Sequence, residues 1–190
     1  EAHAIYWASV GLQKAKENPT RTKLDDLIQL RRAVYQSMQM SFQRGRMVAN
    51  PFNKTFELGP NIDIIPKVSA AYEQAMVEDV QNADHIATAH RNFLREAVYT
   101  LYGHNRIADA ARWYKYLGEK YPNKTIIDGD PNSYPRNVTL EEYAMACLKV
   151  DVSETNNAKI QARIEELLIR PCAVIEYKQF DVFDCLNRVF

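Results

Sequence analysis

Apolar residues recur along most of this chain at intervals of three and four, the spacing that places them on one face of an α-helix. Ile5, Ala8, Leu12 and Ala15 mark a first helix that stops at Asn18-Pro19. Thr22 then precedes a long stripe through Leu24, Leu27, Ile28, Val34, Tyr35, Met38 and Phe42, ending near Gly45. Residues 47–65 break the pattern with Asn50-Pro51 and Gly59-Pro60 and read as a long loop. Pro66 suits the first turn of a helix, where its missing N–H has no partner to lose. Val68, Ala71, Tyr72, Ala75, Met76 and Val80 give that helix its face.

The clearest stripe is Ile86, Phe93, Leu94, Ala97, Val98, Leu101 and Tyr102, closed by the turn Gly103-His104-Asn105. Another helix spans about 107–120 and halts at Tyr121-Pro122, and residues 123–138 are irregular. Thr139-Leu140-Glu141-Glu142 opens the next, a capping residue with acids in the first turn. A further helix is predicted from Ser153 or Asn156 to Pro171. After it come a short strand or helix at 173–177 and a final helical face through Phe180, Phe183, Leu186 and Val189. Seven to eight helices and almost no strand signal predict an all-α protein.

With 190 residues the chain is long enough for one self-sufficient core, and 46% apolar and 25% charged residues are ordinary globular values. No run of apolar residues is long enough to span a membrane, which predicts a soluble chain whose compartment stays open. Lys and Arg (24) balance Asp and Glu (24), so there is no basic excess of the kind a general nucleic-acid binder needs. The zero conceals an asymmetry. Arg21, Lys23, Arg31, Arg32, Arg44, Arg46 and Lys54 make a basic block, followed by Glu57, Asp63, Glu73, Glu78, Asp79 and Asp84. Neighbouring helices that neutralise one another explain this; a basic helix facing RNA or an acidic peptide is the sharper reading. The polypeptide opens Glu1-Ala2-His3 without a capping residue and stops on Phe190 in mid-pattern, which predicts a fragment or the mature part of a longer chain.

Paired helices joined by tight turns prompt a search for repeats. Residues 94–122 place Ala97, Val98, Leu101 and Tyr102 in one helix, a turn at Asn105, then Ala110, Tyr114 and Leu117 before Pro122. This resembles the tetratricopeptide repeat, with Ala110 as the small residue that lets two helices approach, although Leu94 stands where the family has an aromatic residue and Val98 where it has a small one. Tyr72-Glu73-Gln74-Ala75-Met76 resembles the second helix of another repeat at an irregular interval. The resemblance implies a right-handed α-solenoid of antiparallel hairpins, a single helical-repeat domain over 1–190. It also implies a non-catalytic scaffold for a protein or peptide partner. Carried onto the matched helix, the groove residues would be Asn92, Arg95 and Tyr99, with Arg95 presenting a forked donor to a carboxylate.

Other candidate chemistry is sparse. His85 and His90 are five residues apart, on different helical faces, and read as surface or groove residues rather than a metal pair; His3 and His104 are isolated. Cys147, Cys172 and Cys185 are odd in number, lack zinc spacing and read as structural thiols, with a Cys172–Cys185 bridge as the other arrangement. Asp128, Asp130 and Asn132 alternate like calcium ligands, but Ser133 replaces the central Gly and Thr139 the terminal Glu, which leaves a turn-rich connection. Asn53, Asn123 and Asn137 head N-x-T sequons. Nucleophile and phosphate-loop motifs do not occur, so neither catalytic residues nor a metal or cofactor are expected. Beside the scaffold reading stand an accessory helical domain working through 47–65 and 122–138, and RNA binding through 20–54.

Overall fold

A computed structural model describes residues 1–21, 23–49 and 54–153. Six helices occur among them: α1 (Ala2–Glu17), α2 (Leu24–Arg44), α3 (Ile65–Glu78), α4 (Ala83–Gly103), α5 (Ile107–Lys120) and α6 (Leu140–Ser153). The count corrects the expected seven to eight and, with it, the tetratricopeptide-like α-solenoid: among the described residues the architecture is all-α, with six helices. A regular array needs a tight turn after every helix. Here α2 and α3 are separated by a β-hairpin, and α5 and α6 by the long segment 121–139, so the period is broken twice. The helices expected after residue 153, the 173–177 segment, Cys172, Cys185 and the sequon at Asn53 lie outside the described residues.

The predicted loop at 47–65 contains strands β1 (Arg46–Ala49) and β2 (Phe56–Gly59), paired antiparallel with Met47 opposite Leu58 and Ala49 opposite Phe56. Four residues per strand, with Met47 and Val48 adjacent, give almost no alternation to read. Among the described residues, no helix is long and apolar enough to cross a membrane.

The chain divides into two compact units, Glu1–Ala97 and Val98–Phe190, the division falling inside α4. In the first, α1 runs antiparallel to α2: the Glu1 carboxylate meets Arg44 Nε at 3.2 Å, and a Cβ on Gly11 would lie 3.1 Å from the Leu30 side chain. Phe42, Ile65, Val68, Tyr72, Ile86, Phe93 and Leu94 are buried. The basic and acidic blocks meet where α2 passes α3, Arg31 Nε to Glu78 Oε2 at 2.9 Å, and again at Arg46–Asp63, 3.7 Å. Neutralisation between neighbours is therefore what the structure displays at these pairs.

In the second unit the buried residues include Val98, Leu101, Ala110, Leu117, Ile126, Leu140 and Tyr143. Asn105 takes φ +55°, and the amides of Arg106 and Asn105 reach back to the carbonyls of Leu101 and Tyr102, the bond pair that closes a helix with a left-handed residue. At α6 the Thr139 hydroxyl accepts from the Glu142 amide at 3.2 Å while the Thr139 amide donates to Glu142 Oε2 at 2.8 Å, a reciprocal capping box. Segment 121–139 is anchored rather than loose. Ile126 and Ser133 are buried, the Ser133 hydroxyl accepts from the Ile127 amide at 3.0 Å, and Tyr114 donates to the Val138 carbonyl.

Candidate functional site

Helix α4 carries the three residues the repeat resemblance selects. Asn92 is exposed, Arg95 is half-buried, and both belong to the first unit. Tyr99 is half-buried in the second, where its hydroxyl donates to Asp151 Oδ2 of α6 at 2.7 Å. The i, i+3, i+7 spacing keeps all three on one stripe of a continuous helix. Tyr99 already spends its donor on that bond.

A second cluster went unread in the sequence. Ser69 of α3 and His90 of α4 are both buried and lie 2.9 Å apart, Oγ to Nε2. The structure thus corrects the surface reading of His90, whereas His85 is exposed. The Tyr72 ring stacks on His90 and Phe93 at 5.5 and 5.8 Å and leans on Tyr35 at 4.7 Å. Its hydroxyl donates to Gln39 Oε1 at 2.5 Å. The amides of Gln39 and Gln43 in turn donate to the two oxygens of Glu96, at 3.3 and 2.8 Å. Burial, followed by the charge of Tyr35, raises the Tyr72 phenol above its ordinary range. Burial likewise raises the Glu96 carboxyl, against the two amides that favour its charged form. A serine beside a histidine invites a catalytic reading, but walls of aromatic rings close this pair to solvent. Its chemistry here is to satisfy polar groups inside an apolar core and to tie α2, α3 and α4 together. The legible signal was polar residues within apolar stripes: Gln39 and Gln43 on α2, Ser69 and Tyr72 on α3.

Two surface features of the first unit are accessible. A groove of about 280 Å³ runs between α1 and α3 over α2, its apolar lining supplied by Leu12, Val34, Ala71 and Ala75. Lys16 lines it too, together with the Arg31–Glu78 pair. Hydrogen bonding from Gln74, then the Arg31 guanidinium and the more distant Lys16, holds the Glu78 carboxyl below the usual carboxylate range. The β-hairpin is the other feature. Cross-strand partners and alternate residues share a sheet face, so Met47, Ala49, Phe56 and Leu58 form one apolar face. Met47 is 69% exposed, Phe56 72% and Leu58 66%.

The remaining candidates resolve locally. Asp130 Oδ1 accepts the Asn132 amide at 2.8 Å, and the Ser133 hydroxyl turns inward onto the backbone of its own loop, an Asx-type turn. Among the described residues, no group of three or more His, Cys, Asp or Glu side chains is placed to hold a metal ion. Asn123 and Asn137 are exposed, and Cys147 is half-buried. No family model matches the chain, and neither the curated proteins nor the solved structures give a match.

Proposed function

We propose that the chain is a non-catalytic helical module that binds a protein partner through the apolar face of its β-hairpin. The observation that carries this reading is the exposure of Met47, Phe56 and Leu58 on one face of a two-stranded sheet. Water-exposed aromatic and methionine side chains gathered on one face are typical of interface cores, and an isolated hairpin gains stability when its face is covered. Helix α2 supplies the mount, with the hairpin joined to its end through Gly45. The resemblance of residues 94–122 to a tetratricopeptide hairpin favours the same class of function, and Ala110, the small residue of that pattern, is buried. The hairpin also falls within the 47–65 edge expected of an accessory domain, so such a domain would use the same surface.

Site-specific photo-crosslinking in the host cell tests the reading. A benzophenone side chain at position 56 should yield a discrete adduct, and one at Val77, exposed elsewhere on the same unit, should not. The double substitution Met47→Glu/Leu58→Glu should abolish the adduct while leaving the helical circular dichroism intact. Equal adducts from both positions, or an adduct indifferent to the double substitution, would refute the proposal.

A further inference from the structure

Where α2 passes the turn between α3 and α4 there is a second cleft, of about 210 Å³, lined on one side by Arg31, Arg32, Tyr35 and Gln36 and on the other by Asp79, Asn82 and His85. We propose that this cleft binds a phosphate-type oxyanion, the dianionic head of a phosphate monoester.

The donors are its main feature. Among the described residues Arg31 makes a single hydrogen bond, from Nε to Glu78, although its side chain is only 16% exposed. A guanidinium has five N–H donors, so both terminal nitrogens remain available, and the bond to Glu78 already fixes the plane of the fork. Arg32 has no ion-pair partner among the described residues and stands one residue along the same helix. Tyr35 is 7% exposed, and its hydroxyl has no hydrogen-bond partner among the described residues. The ring is buried while the hydroxyl opens into the cleft, where it can donate to a bound acceptor. The Gln36 amide and the exposed His85 ring add two further donors.

One lining group opposes an anion, the buried carboxylate of Asp79. The Asn82 side-chain amide donates to both of its oxygens, at 3.0 and 3.1 Å, which occupies part of its acceptor capacity. With Glu78 paired to Arg31, the two guanidinium charges are balanced by two carboxylates, so an anion is drawn by the N–H and O–H donors of the lining and not by a net charge. Helix α4 begins at Ala83, so the positive end of its dipole lies beside His85. The geometry also selects among anions. Guanidinium, phenol, amide and imidazole donors on two walls outnumber the two oxygens of a carboxylate and suit the three terminal oxygens of a phosphate monoester. The cleft is larger than a bare tetrahedral anion, which leaves room for the first atoms of the group that carries it.

These residues are distinct from the hairpin face, so either proposal can fail alone. The experiment is an NMR titration of the ¹⁵N-labelled full chain with inorganic phosphate and, separately, with a short phosphoserine peptide, each at constant ionic strength against potassium chloride. The expected result is a set of amide shifts confined to residues 31–36 and 79–86. Arg32→Ala removes an exposed, unpartnered side chain, and Arg31→Lys keeps a cation for Glu78 but loses the fork. Each should weaken binding by roughly tenfold or more, as loss of a charge-assisted bond to phosphate implies. Comparable affinity for the two probes assigns the site to free phosphate or a small phosphorylated molecule. Tighter binding of the peptide assigns it to a phosphorylated partner. Absence of localised shifts with both probes overturns the proposal, as does binding that neither variant weakens.

Discussion

Removing one oxygen atom tests whether the buried polar cluster stabilises the first unit. In Tyr72→Phe the ring keeps its neighbours, Tyr35 at 4.7 Å, His90 at 5.5 Å and Phe93 at 5.8 Å, so the burial contribution is nearly unchanged. What goes is the bond to Gln39 Oε1, which leaves that oxygen short of a donor between α2 and α3. An unmade hydrogen bond at a buried site costs about 1–3 kcal/mol. Gln39 is half-buried, so water recovers part of the loss and the lower half of that range is expected, about 1–2 kcal/mol.

The assay is urea denaturation of the full chain followed by circular dichroism, with hydrogen exchange of the α3 and α4 amides to place the loss in the first unit. A companion Gln39→Met supplies the double-mutant cycle. In that background no amide oxygen is left waiting, and the penalty for Tyr72→Phe should fall by about half or more, a coupling of about 0.5–1 kcal/mol. If Tyr72→Phe is neutral or stabilising, or if its penalty is the same with and without Gln39, the cluster contributes nothing through this bond and the reasoning is wrong.

In Ser133→Ala the half-buried Ile127 amide loses its acceptor, and the second unit should lose about 1–2 kcal/mol with faster exchange across residues 125–138. Thr139→Ala removes the α6 cap and should destabilise that helix by about 0.5–2 kcal/mol, read as increased exchange of its first-turn amides. The same cap has a pH signature. Bonds from the Thr139 amide and then its hydroxyl hold the exposed Glu142 carboxyl below its ordinary range, so its contribution is present above the unfolded pKa and is lost as pH falls through the folded value. An acid titration of Glu142→Gln should therefore show less loss of α6 helicity than the native chain; an identical profile would exclude the cap as the cause.

Local chemistry carried most of what was readable. The stripes that became α1 to α6, the left-handed stop at Asn105 and the Thr139–Glu142 cap are set by residues within one or two turns of each other. The same locality misled at the hairpin, where strands of four residues hold too few positions for a period to show. It also misled at His90, whose spacing from His85 describes a helix surface but not what packs above it. The stripe of Asn92, Arg95 and Tyr99 was legible as geometry; that Tyr99 meets Asp151, fifty-two positions on, was not.

Among the described residues, the sequence alone determined the six helical stripes, the cap at Thr139, and two blocks of opposite charge whose neutralisation is visible in Arg31–Glu78. Only the tertiary structure decided that six helices, interrupted by a hairpin, replace a regular array among the described residues. It alone placed Ser69 beside His90, left Met47, Phe56 and Leu58 uncovered, and set Arg31, Arg32 and Tyr35 around one cleft. The physical reason is range. Helix periodicity and capping act between residues three or four apart, whereas burial, and the pairing of a donor with an acceptor from another helix, depend on which faces the whole chain brings together.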